Sequence, residues 1–350
     1  MGLAQLLKTT IRYEGAPSVL VTAKEVVVPR IYEKLNVTHY EEAKTMRRDL
    51  LLSEIPKHEG LYCLLRDKID KELLDLGKKL KVVSTMSVGY DHIDLEECKR
   101  RNIVVTITPD VLTETTAETT VALLLATARR IPEGVMEAKT GGWGTWSPFY
   151  MCGVGIRQST VGIIGFGRIG QSVASKLKAF HPDQIIFNDL YPNMEKAKEL
   201  GCKSVSIDEL YRKSDFIIIT CLATPQNKGM INKDAFSKMK SNVVLVNTSS
   251  ISQLGYMSVS IIIRYRGTLI NQPDLITALS NGTIRAAGLD VTVPEPLPLD
   301  SPLLKLKNCV VLPHIGSATM QTRKDMMELA EDGILAVLAG GKMPPRIRVA

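Results

Sequence analysis

Short apolar runs alternate with amphipathic segments along most of the chain. The runs have the length of strands and are rich in Val and Ile, whereas the segments between them repeat their apolar positions with helical period. The predicted strands are 18–22, 60–65, 80–85, 103–107, 160–164, 185–187, 216–220, 243–247, 285–289 and 309–312. The predicted helices are 70–79, 94–101, 115–130, a segment ending near 180, 196–200, 207–213, 233–239, 273–280 and about 319–338. This alternation predicts βαβ units with parallel sheets, so we assign the chain to the α/β class.

One stretch joins a strand, a glycine-rich turn, a helix and a carboxylate. Gly165, Gly167 and Gly170 follow the strand 160–164 in G-x-G-x-x-G spacing, and Asp189 comes 19 positions after the last glycine. Glycines in such a turn permit a sharp bend and let the backbone approach a pyrophosphate, whose charge the helix N-terminus stabilises. The carboxylate would accept hydrogen bonds from the adenosine ribose. We therefore predict a dinucleotide site; the alternative is a glycine-rich turn that binds no ligand.

Length and composition narrow the class of protein. The 350 residues correspond to about two domains, and 45% hydrophobic with 23% charged residues is ordinary for a globular protein. The net charge of +7 is scattered and aromatic residues are few, so we expect no nucleic-acid partner. No apolar run reaches the roughly 18 residues of a membrane span. The six cysteines form no C-x-x-C and have no metal-ligand spacing with histidines, so we expect reduced thiols, no metal site and a cytoplasmic location.

The first sixteen residues precede the first predicted strand. They carry Lys8 and Arg12 and no acidic residue before Glu14. We expect residues 1–16 to be a short disordered extension, and a mitochondrial presequence is the alternative.

Polar groups follow several of the predicted strands. Val88 and Gly89 lie in such a position, and their N–H groups would hold a small anion. Asp290 and Glu295 follow a later strand, and His314 follows the last one. Because ligands of parallel sheets bind at the carboxyl edge, a His beside a carboxylate there is suited to proton donation. The alternative is a loop histidine with a purely structural role.

A loop rich in Gly, Trp and Pro, residues 141–153, contains both tryptophans of the chain, Trp143 and Trp146. Aromatic residues concentrated in one loop favour a subunit contact. The alternative is a loop that folds back on its own domain.

These stretches resemble the D-2-hydroxyacid dehydrogenase family, and most closely its animal glyoxylate/hydroxypyruvate reductases. The resemblance extends from about residue 17 over nearly the whole chain. It includes STMSVGYDHID, TPDVLTETTAE, GGWGTW, QSTVGIIGFGRIGQ, NQPDLITALSNGTIRAAGLDVTVPEPLP and LKNCVVLPHIGSAT. It implies two doubly wound parallel-sheet domains: a Rossmann coenzyme domain, 112–318, inserted in a flavodoxin-like substrate-binding domain, 1–111 and 319–350. It also implies a homodimer that reduces glyoxylate and hydroxypyruvate to glycolate and D-glycerate with NAD(P)H, its domains closing over the substrate.

The resemblance implies roles for individual residues. His314 would protonate the carbonyl oxygen as hydride arrives, Glu295 would orient His314, and the Arg266 guanidinium would bind two substrate oxygens at once. The substrate-binding residues would be Val88, Gly89, Arg266, His314, Ser317, Leu64 and Trp146. The cofactor-binding residues would be Thr116, Gly165, Gly167, Arg168, Ile169, Gly170, Asp189, Leu190, Leu222, Thr248, Asp290 and Gly316.

The chain departs from the resemblance at the end of the second coenzyme-domain strand. The NADP-using reductases that it resembles have a small residue followed by an arginine where this chain has Asp189 and Leu190. A carboxylate repels a 2′-phosphate and binds a free 2′-hydroxyl. Of the two cofactors, NAD(H) and NADP(H), we therefore expect NAD(H) to be preferred.

A second departure interrupts the N-T-S-R-G motif of the family. Residues 247–249 are followed by sixteen further residues, 250–265, and only then by Arg266 and Gly267. If these residues loop out, Arg266 keeps its place; if they displace it, an error of about 1 Å can cost on the order of 100-fold in rate. The alternative function is therefore a catalytically weak NAD(H)-binding protein of the sensor or corepressor type.

Overall fold

A computed structural model describes residues 6–10, 13–249 and 269–350 of the chain. These residues form two compact α/β units. The first unit contains the described residues up to 112 together with 319–350, and the second contains 113–249 and 269–318. The interrupting stretch 250–265 and Arg266 lie outside the described residues.

A six-stranded sheet forms the first unit. Its strands are β1 (Leu7–Thr10), β2 (Ser18–Val21), β3 (Asn36–Tyr40), β4 (Gly60–Cys63), β5 (Val82–Thr85) and β6 (Val104–Thr106). Their order is β1-β3-β2-β4-β5-β6, and the neighbouring strands are parallel except for β1 with β3. The five parallel strands therefore have the doubly wound 2-1-3-4-5 order of flavodoxin-like domains.

Helices cover both faces of this sheet. They are α1 (Pro29–Tyr32), α2 (Arg48–Glu54), α3 (Lys71–Leu76), α4 (Leu95–Arg100) and the C-terminal helix α12 (Met320–Leu338). One apolar cluster packs α2, α3 and α4 on one face, and another packs α1 and α12 on the opposite face. The strands β4 and β5 are thus covered on both sides, and all four residues of each strand are buried.

The C-terminal helix is held in the first unit by a buried carboxylate. Glu331 is fully buried in α12 and accepts hydrogen bonds from the backbone N–H groups of Arg30 and Ile31, at 3.1 and 3.2 Å. The Arg30 guanidinium lies 3.0 Å from the other carboxylate oxygen. Because a buried charge is stable only when it is paired and hydrogen-bonded, this contact fixes the start of α1 against α12.

The strand β1 corrects one expectation. A disordered extension over residues 1–16 is wrong for residues 7–10, which pair antiparallel with β3. The Oγ1 atoms of Thr9 and Thr38 also lie 3.2 Å apart across the two strands. The physical reason is that β3 would otherwise leave its outer N–H and C=O groups unpaired at the edge of the sheet.

A seven-stranded sheet forms the second unit. Its strands are β7 (Thr160–Ile164), β8 (Gln184–Asn188), β9 (Lys203–Ser204), β10 (Phe216–Ile219), β11 (Val244–Asn247), β12 (Ala286–Leu289) and β13 (Cys309–Val311). Their order is β13-β12-β11-β10-β7-β8-β9, with parallel pairing between neighbours. This is the Rossmann order 3-2-1-4-5-6 with one strand added. The order reverses between β7 and β10, so their carboxyl ends border the crevice where such sheets bind ligands.

Seven α-helices lie among the described residues of the second unit. They are α5 (Thr113–Ala128), α6 (Ile131–Thr140), α7 (Arg168–Leu177), α8 (Met194–Leu200), α9 (Ile207–Lys213), α10 (Lys233–Lys238) and α11 (Gln272–Ser280). Helices α5, α7 and α8 pack on one face of the sheet, and α9, α10 and α11 pack on the other. In the part of the chain that the structure describes, no helix has the length and apolar character needed to cross a membrane.

Candidate active site

The glycine turn lies between β7 and α7, at the carboxyl edge of the second sheet. Gly165 has a φ of +92°, and a Cβ at this position would overlap the backbone of Cys221. A Cβ on Gly170 would overlap the carbonyl oxygen of Gly165. A Cβ on Gly167, by contrast, would meet no atom within 4 Å. The fold itself therefore requires Gly165 and Gly170, whereas the small size of Gly167 leaves room for a ligand.

The first turn of α7 is suited to a pyrophosphate. Gly167 is the N-cap of this ten-residue helix, no side chain caps it, and the first turn contains no acidic residue. Arg168 and Ile169 begin the helix beside the open space over Gly167. The uncapped N–H groups and the positive end of the helix dipole favour an anion at this position.

Asp189 follows β8 beside the glycine turn. Its Oδ2 accepts a hydrogen bond from the Phe166 N–H at 2.6 Å, and its Oδ1 accepts one from the Tyr191 N–H at 2.8 Å. Each carboxylate oxygen keeps a further lone pair, so ribose hydroxyls can still bind. The next residue, Leu190, is exposed. These residues fit the adenosine half of a dinucleotide.

Three predicted cofactor residues meet at the carboxyl ends of β12 and β13. Asp290 is buried and accepts hydrogen bonds from the N–H groups of Ile315 and Gly316, both at 2.8 Å. Burial raises the pKa of Asp290, and these N–H donors oppose the rise. A Cβ on Gly316 would lie 3.0 Å from Asp290 Oδ2 and 3.5 Å from Thr116 Cγ2. Thr116, Asp290 and Gly316 therefore border the same small space.

Two threonines of α5 that the sequence analysis missed link this space to the end of β11. Thr120 Oγ1 donates to the Thr116 carbonyl at 2.7 Å and lies 2.8 Å from the buried Thr248 Oγ1. Thr119 Oγ1 donates to the Gly316 carbonyl at 3.2 Å. The spacing of Thr116, Thr119 and Thr120 was the available signal, because residues three and four apart share one helix face.

His314 and Glu295 form a pair on the same edge of the sheet. His314 Nδ1 lies 2.9 Å from Glu295 Oε2, and Glu295 Oε1 accepts a hydrogen bond from the Thr292 N–H at 3.0 Å. Thr292 is a further residue that the sequence analysis missed. The other ring nitrogen of His314, Nε2, makes no hydrogen bond to the described residues. The carboxylate therefore orients the imidazole and leaves Nε2 available for proton exchange with a ligand.

Val88 and Gly89 follow β5 at the carboxyl edge of the first sheet. Neither backbone N–H donates a hydrogen bond to another residue that the structure describes. Leu64 follows the neighbouring strand β4, is half-buried, and donates its N–H to Asp67 Oδ2 at 2.8 Å. The two free N–H groups give this edge the capacity to bind a small anion.

The other residues predicted for the site differ in their exposure. Ser317 is half-buried next to Gly316, and Leu222 is exposed in the loop after β10. Trp146 is 80% exposed in the loop 141–153. Arg266 lies outside the described residues, so the structure describes no contact of its guanidinium.

Comparison with known proteins identifies relatives of the whole fold. A family model described as "D-isomer specific 2-hydroxyacid dehydrogenase, NAD binding domain" matches residues 121–252 and 256–316. The "Glyoxylate reductase/hydroxypyruvate reductase" of Homo sapiens is 51% identical over 291 residues, which are 83% of this chain and 84% of that protein. A solved structure from Thermus thermophilus is 36% identical with a TM-score of 0.83, covering 95% of this chain and 100% of that chain. An "NADPH-dependent glyoxylate/hydroxypyruvate reductase" of Sinorhizobium meliloti, crystallised with citrate, is 30% identical with a TM-score of 0.77, covering 95% and 98%.

The strand order and the matched NAD-binding domain make the second unit the coenzyme domain of an oxidoreductase. The Rossmann domain and the second parallel-sheet domain predicted from the sequence are confirmed. The chain belongs to the D-isomer specific 2-hydroxyacid dehydrogenase family. The predicted resemblance is thus confirmed as well, and the alternative of a sensor or corepressor has no support among these relatives.

Proposed function

We propose that this chain reduces glyoxylate and hydroxypyruvate to glycolate and D-glycerate with NAD(P)H. The observation that carries the proposal is the His314–Glu295 pair, which lies on the same sheet edge as the dinucleotide turn. The two relatives named as glyoxylate/hydroxypyruvate reductases support this choice of 2-oxo acids. When bound, the reduced nicotinamide supplies the hydride.

His314 is the general acid of the proposed reaction. Because Glu295 occupies Nδ1, the proton passes from Nε2 to the carbonyl oxygen while the carbonyl carbon receives hydride, and the product is a 2-hydroxy acid. The Glu295 carboxylate stabilises the protonated ring before the transfer and holds its orientation. Thr292 in turn fixes the carboxylate through its N–H.

The substrate carboxylate is bound by the N–H groups of Val88 and Gly89 and by the Arg266 guanidinium. A planar guanidinium can bind two oxygens in parallel, which suits a 2-oxo acid. Leu64, Trp146 and Ser317 complete the proposed substrate pocket.

The proposed cofactor is NAD(H) in preference to NADP(H). The Asp189 carboxylate lies where the adenosine ribose binds in Rossmann domains, and it is held there by two backbone N–H groups. A 2′-phosphate at this position would meet a fixed negative charge. The further cofactor contacts in the proposal are Thr116, Gly165, Gly167, Arg168, Ile169, Gly170, Leu190, Leu222, Thr248, Asp290 and Gly316.

The first unit serves as the substrate-binding domain in this proposal, and the cytoplasm is the proposed location. The chain is also proposed to form a homodimer. Trp143, Trp146 and Phe149 are 69%, 80% and 86% exposed, and the preceding helix α6 contains no buried residue. Aromatic residues exposed together in this way favour a subunit contact, because single chains rarely leave such patches open.

Steady-state reduction of hydroxypyruvate with NADH and with NADPH tests the proposal, on this chain and on a version lacking residues 250–265. Comparable turnover of both versions supports the proposed activity with Arg266 as the working arginine. Turnover of the shortened version alone would show that residues 250–265 prevent catalysis. NADH binding, measured by fluorescence, without turnover of either version would contradict the proposed function.

A further inference from the structure

Three polar side chains of the first unit, those of Ser87, Thr85 and His92, form a hydrogen-bonded series that ends on the Gly89 carbonyl. Ser87 Oγ donates a hydrogen bond to the Gly89 carbonyl at 2.7 Å. Thr85 Oγ1 lies 2.8 Å from Ser87 Oγ, and His92 Nε2 lies 3.0 Å from Thr85 Oγ1. Ser87 and Thr85 are both buried. None of these three side chains takes part in the proposed reaction.

The available protons determine which atom donates in each of these three hydrogen bonds. The Gly89 carbonyl can only accept, so the single hydroxyl proton of Ser87 is used there. Thr85 must then donate its own proton to Ser87, and the remaining bond requires an N–H on His92 Nε2. Each donor therefore points toward the loop that carries the two free N–H groups. Hydrogen bonds aligned in one direction in this way polarise and strengthen one another.

Two hydrogen bonds bracket the anion-binding backbone. The Ser87 carbonyl accepts from the Thr108 N–H at 2.8 Å, which fixes the peptide group that carries the Val88 N–H. The Ser87 hydroxyl fixes the Gly89 carbonyl, which belongs to the peptide group after the Gly89 N–H. The peptide group between these two is thereby held at both ends. Glycine at position 89 would otherwise leave this segment with the widest choice of conformations.

We infer that Ser87 is a positioning residue for the substrate carboxylate, acting through the backbone of Val88 and Gly89. Thr85 and His92 orient its hydroxyl. The inference rests on the proposed function, because it concerns the same anion-binding N–H groups. Fixed donors bind an anion without having to be ordered first, so the loss of Ser87 weakens substrate binding more than it slows hydride transfer.

The test compares Ser87→Ala with the unaltered chain in hydroxypyruvate reduction with NADH. We expect KM for hydroxypyruvate to rise by roughly 3- to 10-fold, the effect of losing about one hydrogen bond, with kcat and the Kd for NADH within about twofold. Thr85→Val removes the donor to Ser87 and should change KM in the same direction. Thr85→Ser restores the hydroxyl and should restore KM. The two Thr85 variants carry the test if Ser87→Ala does not fold.

Ser84→Ala is the matched control. Ser84 lies on β5 three positions before Ser87, is also buried, and donates to the Ala330 carbonyl at 2.8 Å. We expect Ser84→Ala to lower Tm without changing KM. An active chain in which Ser87→Ala leaves KM unchanged, or in which both variants raise it equally, would overturn the inference alone. A chain without any hydroxypyruvate turnover would overturn the proposed function and the inference with it.

Discussion

Glu295 Oε2 lies 2.9 Å from His314 Nδ1 although 19 positions separate the two residues in the sequence. The contact arises because each residue follows one of two neighbouring parallel strands, β12 and β13. The carboxyl ends of such strands meet at one edge of the sheet, where the glycine turn after β7 also lies. The sheet thus brings His314 and the glycine turn to one edge, although about 150 residues separate them in the sequence.

Replacing His314 tests its proposed role directly. His314 has a φ of +56°, and asparagine tolerates this left-handed conformation, so His314→Asn removes the imidazole with little backbone strain. We expect kcat for hydroxypyruvate to fall by roughly 10²- to 10⁴-fold, the usual contribution of a general acid. The Kd for NADH and Tm should stay near those of the unaltered chain. Glu295→Gln should lower kcat in the same direction by less, and near-normal kcat in His314→Asn would rule out the general acid.

Gly167→Ala separates cofactor binding from folding. A Cβ at this position meets no protein atom within 4 Å and the φ of −71° suits alanine, so Tm should be unchanged. The added methyl group occupies the space proposed for the pyrophosphate, and we expect the Kd for NADH to rise at least about tenfold, or 1.4 kcal/mol. Gly155→Ala, which also meets no atom within 4 Å, is the matched control. An unchanged Kd in Gly167→Ala would place the dinucleotide elsewhere.

Asp189→Asn tests the proposed preference for NAD(H). The amide keeps an oxygen acceptor for the Phe166 N–H but removes the negative charge that faces the ribose. We expect the ratio of kcat/KM with NADPH to that with NADH to rise at least about tenfold. Asp183→Asn, an exposed change just before the same strand, should leave the ratio unchanged. If the unaltered chain already uses both cofactors equally well, Asp189 does not select between them.

Buried His58 should make stability depend on pH. Its Nδ1 lies 2.6 Å from Ser18 Oγ, and burial lowers the pKa of His58 from 6.5 to about 4. Between pH 4 and pH 6.5 the unfolded chain binds a proton at His58 that the folded chain does not bind. The contribution of neutral His58 to the free energy of unfolding is therefore complete above pH 6.5 and is lost as the pH falls toward 4.

We therefore expect the urea midpoint to fall between about pH 7 and about pH 5, and His58→Gln to remove on the order of 1–3 kcal/mol of that dependence. His181→Asn, a change of an exposed histidine, should leave the dependence intact. If the urea midpoint of the His58→Gln variant fell with pH as much as that of the unaltered chain, the pH dependence would come from other groups.

The exposed loop 141–153 predicts an effect on assembly. Phe149→Asp places a charge in the aromatic surface, which is 86% exposed at this residue, and should shift the chain from dimer to monomer in sedimentation velocity. Val27→Asp changes an apolar residue that is also exposed, at 66%, but lies in the first unit, and should have no such effect. A monomeric unaltered chain would contradict the proposed dimer.

Much of the fold follows from local signals in the sequence. The helices predicted at 70–79 and 94–101 start where Asp70 and Asp94 cap α3 and α4, each carboxylate accepting a backbone N–H three residues later. The predicted strand 160–164 and the predicted helix 207–213 coincide with β7 and α9. The glycine spacing likewise identified the turn that the structure places at the switch point of the sheet.

Elements held by distant contacts were missed. The strand β3 contains His39, whose ring nitrogens bond to Ala23 O and Tyr32 Oη, both at 2.8 Å, so its polar pattern makes sense only in the folded unit. The helix α6 includes Pro132 and Gly134 and contains no buried residue, so neither propensity nor an apolar face indicated it. In the site, Thr120 meets Thr248 only after the sheet has formed, because 128 positions separate the two residues. Thr292 bonds to Glu295 within one loop, and no local sequence pattern indicated that contact.

The first unit is assembled from both ends of the chain, which has a consequence for biosynthesis. The face of its sheet that carries Val19 and Tyr62 packs against Ile334 of α12. A ribosome must therefore translate all of the second unit before the helix that covers this face emerges. At about 5–20 residues per second, the 226 residues from 113 to 338 take roughly 10 to 45 seconds. During that interval the nascent chain presents an uncovered apolar sheet, so its yield in cells should depend on chaperones that bind such surfaces.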